Sequence, residues 1–192
     1  HVRDALEQRK SVRAFLDRPV QREAIVRILD AARHAPSGVN TQPWKVAVVT
    51  GAAKQRLQQK IETAFRDGKQ SRASYVYYPE EWISPYKERR KECAVLMYGA
   101  VGIPFGDKTA RLEQWARNYR AFDAPVMLLF LIDSVMGQGS FIDYGMFMQS
   151  LMLAAEEEGL ATLRQALERG DRRVGDLATV RTAATNTSVL KP

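Results

Sequence analysis

The stretch that decides the fold of this 192-residue chain is PSGVNTQPW, residues 36–44. It lies between a helical pattern and a run of β-branched residues, and its two prolines, single glycine and small polar side chains predict a stiff loop without regular structure. The ring of Pro36 disfavours the α conformation at the residue before it, so the preceding helix is expected to end there. Such a loop suits either a flat polar ligand or a rigid helix-to-strand connection, and composition alone does not decide between them.

A second stretch, RKSVR at residues 9–13, follows the first helical pattern, Val2 to Arg9. In an extended run, Arg9, Ser11 and Arg13 project to the same side. Two guanidinium groups that flank a hydroxyl suit a phosphate dianion, because each can make paired charge-assisted hydrogen bonds. An ordinary solvated basic turn would explain the same residues, since cations at a helix C-terminus are favoured by the helix dipole.

With these two stretches in this order, the chain resembles the flavin (FMN)-dependent nitroreductase family. The resemblance continues through YYPEEWISPYKERR, RNYRAFDAPVMLLFLID and GQGSFIDYGMFMQSLMLAAEEEGLAT, and it ends near residue 162. It implies an α+β fold with a central, mostly antiparallel sheet flanked by helices. It also implies an interlocked homodimer with one flavin at each subunit interface.

The activity that the resemblance implies is that of an FMN enzyme with NADH or NADPH as electron donor. Such enzymes reduce nitroaromatic compounds, quinones or related small-molecule acceptors by ping-pong hydride transfer through the flavin. The sequence offers no histidine cluster for zinc, no GxSxG elbow and no recognised Cys/His pair, so we expect no catalytic side chain and no metal site. A flavin enzyme needs neither, because the cofactor carries the redox chemistry. The alternative is a degenerate relative that keeps the dimer fold, binds flavin weakly or not at all, and acts as a ligand-binding or interaction protein.

Cofactor contacts are carried over from the family motifs, residue by residue. The first group is expected at the FMN phosphate, ribityl chain or pyrimidine edge and consists of Arg9, Lys10, Ser11 and Arg13, with Arg13 as the candidate for the positive charge near N1 and O2. The second group would cover the ring from the opposite subunit and consists of Pro36, Ser37, Gly38 and Asn40. Further polar contacts are expected from Asn118, Arg120, Gln165 and Ala166.

The likeness fails after residue 162, where the expected Pro-Gln is replaced by Leu163-Arg164-Gln165-Ala166. The family's later apolar strand and closing arginine have no counterpart in the Thr- and Ala-rich remainder. We therefore assign residues 1–162 to a nitroreductase-like FMN-binding domain and residues 163–192 to an atypical, partly irregular C-terminal tail.

The formal charge of +7 allows either a nucleic-acid partner or the steering of anionic cofactors. The basic residues are interspersed with acids, which favours the second interpretation and no nucleic-acid partner. No apolar run reaches the roughly eighteen residues of a membrane span, and the start of the chain lacks a signal-peptide pattern. The single cysteine, Cys93, fits a reducing compartment, so a cytoplasmic location without membrane contact is expected, with Cys93 as a small buried side chain.

Hydrophobic periodicity predicts helices over residues 22–33, 52–66, 86–101, 108–119 and 144–158, with strands over 45–50 and 125–132. The second strand shows no polar alternation, which predicts a central strand covered on both faces. The last helix is apolar around most of its circumference and should be buried, in part at a subunit interface. The long aromatic segment 67–85 is expected to form a lid or to embrace the partner subunit.

Overall fold

The structure is a computed structural model that describes residues 1–68, 78–104 and 106–164. The described residues form two units, one made of residues 1–62 and 117–164 and the other of those within Thr63–Ala116. Two of the predicted contact residues, Gln165 and Ala166, and nearly all of the predicted tail lie outside the described residues. Tyr75 and Tyr77 of the aromatic segment lie outside them as well.

The elements follow the predicted order along the chain. The helices are α1 (Val2–Gln8), α2 (Arg22–Ala32), α3 (Gly51–Arg66), α4 (Tyr86–Ala100), α5 (Lys108–Ala116) and α6 (Gly139–Glu157). The strands are β1 (Lys45–Thr50) and β2 (Val126–Leu131), and two 3-10 segments cover Gly38–Asn40 and Arg117–Asp123. Two boundaries differ from expectation, because α5 gives way to the second 3-10 segment after Ala116 and α6 begins at Gly139 rather than at Tyr144.

The sheet of the described residues consists of β1 and β2, which pair antiparallel with Lys45 opposite Leu131 and Thr50 opposite Val126. The prediction that β2 is a central strand covered on both faces is wrong for the described residues. Its side chains are half-buried up to Phe130 and its last residue, Leu131, is exposed. Leu128 and Phe130 pack on the core, whereas Met127 and Leu129, on the other face, are half-buried without belonging to it.

The core of the first unit lies where α2 and one face of the sheet pack on α6. On α6 the buried residues recur every three or four positions, which is the stripe that a helix presents to a core. This stripe consists of Tyr144, Phe147, Leu151 and Ala155, and it meets Ile28, Ala32 and Ala35. The expectation of a fully buried α6 is therefore corrected to a single buried stripe, since Ile142 is 71% exposed in the chain by itself.

Within the second unit, aromatic rings and ion pairs join the elements. Arg66 donates to both carboxylate oxygens of Glu113 at 2.8 and 2.9 Å. The guanidinium of Arg90 lies 5.1 Å from the ring centre of Trp82, which precedes α4. The prediction for Cys93 is wrong, because this residue of α4 is exposed. No residue of this helix is buried in the single chain.

Candidate cofactor site

The segment of residues 9–13 is extended, which is the condition under which Arg9, Ser11 and Arg13 project to the same side. Arg9 ends α1 with φ −56° and ψ 125°, which directs the chain away from the helix. Ser11 forms a parallel bridge with Thr162, and the Val12 N–H donates to the Thr162 carbonyl at 3.2 Å. The start of the chain is therefore paired with the residues that follow α6.

The cations of this segment are not neutralised within the described part of the chain. The side chains of Arg9 and Lys10 make no hydrogen bond or ion pair there, and the side chain of Arg13 donates only a long bond of 3.4 Å to the Ser11 carbonyl. By contrast, Arg27 is paired with Glu158 at 2.7 Å. Because Arg9 and Arg13 are half-buried and unpaired, they suit an anion supplied from outside the chain.

A buried hydroxyl without a partner in the described ranges belongs to Thr162, the residue bridged to Ser11 of this segment. The Oγ1 atom of Thr162 is buried and has no hydrogen-bond partner among the described residues. An unpaired buried hydroxyl has a free-energy cost that a ligand with polar oxygens can remove. A ligand that carries both a phosphate and a polyhydroxyl chain, as FMN does, fits these groups. The unpaired cations suit its phosphate, and the exposed hydroxyl of Ser11 and the buried hydroxyl of Thr162 suit its polyhydroxyl chain.

The proline-bounded loop contains one 3-10 turn, Gly38–Asn40, so the expectation that it holds no regular structure is corrected. Its backbone is strained, with positive φ at Val39 (45°), Asn40 (58°) and Gln42 (45°). The Ser37 hydroxyl accepts the Gln42 N–H at 2.9 Å, and the Gln42 amide donates to the Asn40 side chain at 3.0 Å. These two polar side chains therefore stiffen the loop, while Val39 is 97% exposed at its tip.

The loop is tied to α6 through Asp143, a residue that sequence analysis missed. The Gly38 N–H donates to Asp143 Oδ2 at 3.2 Å. The predicted contact residue Gly38 therefore already uses its backbone donor within the chain. The sequence contains no signal for this contact, because Asp143 directly precedes the predicted start of the last helix and is 105 positions from Gly38.

The neighbouring residue, Tyr144, joins α6 to the ends of both strands. Its hydroxyl lies 2.9 Å from the Lys45 carbonyl and 2.8 Å from the Leu131 carbonyl, to which it can donate, and it accepts the Lys45 N–H at 3.1 Å. Burial raises the pKa of this phenol to about 12. The end of the loop and the start of β1 are thereby held against the core.

A cavity of about 360 Å³ opens where the loop meets β1. Its apolar lining includes Trp44 and Met136, and its charged groups, Lys45 and Asp133, are paired with each other at 3.1 Å. The hydrogen bond from Lys45 holds the pKa of Asp133 below its usual range. Since this ion pair is internal, the cavity offers no free charge, unlike residues 9–13.

The predicted contact Arg120 is engaged by acids of its own chain. Its Nη1 atom lies 2.9 Å from Glu62 Oε1, and its Nε atom lies 3.3 Å from Asp123 Oδ1. Both Arg120 and Asn118 lie in the second 3-10 segment, which is half-buried around them and ends in left-handed residues from Ala121 to Asp123. Among the described residues, Nη2 is the nitrogen of Arg120 that remains for a ligand, and its role at a flavin stays a prediction.

A comparison of the chain with protein families decides its assignment. The model of the nitroreductase family matches residues 6–167. The chain belongs to the nitroreductase family. The predicted family is therefore confirmed, and the match includes residues 9–13, the proline-bounded loop and α6.

Curated relatives from this family carry activities in their names. A nitrobenzene nitroreductase of Ectopseudomonas oleovorans is 39% identical over 165 residues, which is 85% of this chain and 73% of the relative. A 4-nitrobenzoate reductase of Pseudomonas putida is 41% identical over 157 residues, 82% of this chain and 68% of the relative. These relatives agree with the prediction that the chain is an enzyme of the nitroreductase type, which is confirmed at the level of the family.

Solved structures of nitroreductases share the fold. The FMN and NADPH-dependent nitroreductase NfnB from Sphigopyxis sp. strain HMH aligns with a TM-score of 0.81 and 40% identity, over 85% of this chain and 74% of that one. The FMN-dependent NfnB from Mycobacterium smegmatis, in complex with NADPH, aligns with a TM-score of 0.81 and 28% identity, over 98% of this chain and 84% of that one. The nitroreductase-like fold is thereby confirmed. The predicted cofactor, FMN, and the predicted nicotinamide donor agree with the descriptions of these two structures.

Among the residues described for the present chain, no helix is both long and apolar enough to cross a membrane.

Proposed function

We propose that this nitroreductase family member is an FMN-dependent oxidoreductase that reduces nitroaromatic compounds, with NADPH as its electron donor. The observation that carries the proposal is the extended segment of residues 9–13, whose half-buried arginines have no acidic partner among the described residues. The names of relatives that act on nitrobenzene and 4-nitrobenzoate support the acceptor class. NfnB structures described as NADPH-dependent or in complex with NADPH favour this donor over NADH.

The residues of the segment have distinct parts in this proposal. Arg9 and Lys10 bind the FMN phosphate through charge-assisted hydrogen bonds. Ser11 and Thr162 supply hydroxyl groups for the ribityl chain, and Arg13 holds positive charge near N1 and O2. When it is bound, FMN supplies the redox chemistry, and the protein contributes position and electrostatics.

The proposal includes a homodimer in which the proline-bounded loop of one copy covers the flavin held by the other. It is supported by the loop's geometry, because Val39 at the loop's tip is 97% exposed in the single chain. Within the described part of one chain, no hydrogen bond or ion pair joins residues 9–13 to residues 36–40.

The proposed FMN-binding domain comprises residues 1–162. The donor and the acceptor are proposed to react in turn by a ping-pong order, and quinones are proposed as further acceptors.

The absorbance spectrum of the purified protein tests the cofactor first. Flavin bands in the visible region are expected, directly or after incubation with FMN and gel filtration. Steady-state oxidation of NADPH and NADH with nitrobenzene, 4-nitrobenzoate and a quinone then tests donor and acceptor. A protein that stays colourless after incubation with FMN would instead be the degenerate, interaction-type relative, and the proposal would be rejected.

A further inference from the structure

The proline-bounded loop cannot hold its observed shape by backbone preference. Val39, Asn40 and Gln42 all have positive φ, and each such residue costs about 1 kcal/mol or more unless the surroundings fix it. Contacts inside the loop provide part of this constraint, because Ser37 and Asn40 both bind Gln42. Those contacts fix the loop's internal shape but do not fix its position on the rest of the chain.

Residues of α6 fix that position: Phe147 stacks on Trp44 at the end of the loop, and Asp143 and Tyr144 add hydrogen bonds. Tyr144 binds Lys45, directly after the loop, through hydrogen bonds of 2.9 and 3.1 Å. Asp143 binds the other side of the loop by accepting the Gly38 N–H at 3.2 Å. The Asp143 carboxylate is the acceptor in this bond, which joins residues 105 positions apart in the sequence.

We propose that Asp143 is a positioning residue that sets the proline-bounded loop through Gly38, and thereby sets how the loop covers the bound cofactor. The proposal deepens the proposed function and rests on it for the cofactor. Without Asp143 the loop keeps its internal bonds and its attachments at Trp44 and Lys45, but its first half is free to move. The exposed Val39 would then no longer be held in one place over the ligand.

The hydrogen bond, rather than the charge, is the essential feature of Asp143. Asp143→Asn keeps a carbonyl oxygen that can accept the Gly38 N–H but removes the negative charge. Asp143→Ala removes both. Gly38→Pro removes the same N–H from the other side, at the first position of a 3-10 turn where proline is tolerated. Asp30→Ala is the matched control, because it changes the net charge as Asp143→Ala does. Asp30 is an exposed acid of α2 that is paired with Arg33.

Amide hydrogen exchange at Gly38, measured by NMR on flavin-free protein, reads the contact without any cofactor. Asp143→Ala should speed this exchange at least about tenfold, while Asp143→Asn and Asp30→Ala should stay within about threefold of the unaltered protein. The FMN dissociation constant, from quenching of flavin fluorescence, should rise about tenfold in Asp143→Ala and Gly38→Pro and by no more in the double variant. Circular dichroism and melting temperature of each variant verify that it is folded.

Each outcome decides a separate question. Unchanged Gly38 exchange in Asp143→Ala, or equal losses in Asp143→Asn and Asp143→Ala, would overturn the assignment of Asp143. Faster exchange with unchanged FMN affinity would overturn its link to the cofactor. Should Asp143→Ala fail to fold, the FMN dissociation constants of Gly38→Pro and Asp143→Asn still test the contact, and equal losses in these two variants would overturn the assignment. A wild-type protein that binds no FMN rejects the proposed function, whereas the exchange rates still report whether Asp143 holds the loop.

Discussion

The indole ring of Trp44 stacks on the phenyl ring of Phe147, with ring centres 4.8 Å apart and planes inclined by 9°. Trp44 closes the proline-bounded loop, and Phe147 is only 2% exposed on the buried stripe of α6. Phe147→Ala should therefore lower the free energy of unfolding by about 3–5 kcal/mol, because it leaves a cavity and removes the stacked partner. Urea unfolding followed by Trp fluorescence measures this loss. Phe147→Leu should cost clearly less, and equal costs would contradict a contribution from the cavity.

Tyr144→Phe removes one hydroxyl that serves both strands. The variant should lose about 1–3 kcal/mol of unfolding free energy, because the carbonyls of Lys45 and Leu131 lose their shared donor and the Lys45 N–H loses its acceptor. Thermal and urea unfolding at neutral pH measure the difference. Tyr86→Phe, at an exposed phenol of the second unit, is the control and should have no measurable effect.

The same phenol predicts a dependence of stability on alkaline pH. Its pKa in the folded chain is raised to about 12 from the ordinary 10, so the stabilisation is fully present below pH 10 and is lost as the pH rises toward 12. The loss should be on the order of 2 kcal/mol. Unfolding free energies of the unaltered protein and of Tyr144→Phe, compared across this range, isolate it from other titrating groups. Parallel pH curves for the two proteins would refute it.

Arg9→Ala and Arg13→Ala should each raise the FMN dissociation constant about tenfold or more, since each removes charge-assisted hydrogen bonds to the cofactor. Flavin retained per subunit after gel filtration, and titration of the flavin-free protein with FMN, measure the effect. Arg3→Ala is the matched control, because its exposed side chain on α1 lies 3.6 Å from Glu7 and outside the segment. Unchanged flavin content in both variants would remove these arginines from the site.

Thr162→Val replaces the orphaned hydroxyl by a methyl group of similar size. Flavin-free protein should be equally stable or more stable by about 1 kcal/mol, because a buried group without a partner disappears. FMN affinity should nevertheless fall, since the hydroxyl is proposed to bind the ribityl chain. Thr162→Ser, which keeps the hydroxyl, should retain the affinity. Equal FMN affinity of the Val and Ser variants would exclude this contact.

The elements with strong local signals could be predicted from the sequence. β1 occupies Lys45–Thr50 as expected, because a β-branched run is bounded by Pro43 on one side and Gly51 on the other. The helix over Arg22–Ala32 is within one residue of its prediction, since its apolar positions follow one face up to the break before Pro36. For residues 9–13 an extended run is assumed rather than predicted, and the bridge between Ser11 and Thr162 agrees with that assumption.

The features that the sequence did not predict depend on tertiary contacts. Asp143 gains its role only when α6 starts at Gly139 and carries the carboxylate to Gly38. Ala121, Phe122 and Asp123 have left-handed backbone conformations, and the sequence has no glycine there that would predict them. The neighbouring Arg120 is paired with Glu62. The family motif alone predicts Arg120 as a flavin contact, and the pairing of Arg120 with Glu62, 58 positions away, could not be predicted. Local patterns cannot show which acid a distant arginine will meet.

The pairing of Lys45 with Leu131 limits where this chain can change its length. Both strands span six residues, and inserting or deleting one residue within either would turn every later side chain to the opposite face of the ladder. The two carbonyls bound by the Tyr144 hydroxyl would then no longer converge on it. Insertions and deletions among homologous chains should therefore be absent from both strands and occur in the connection 133–138 instead.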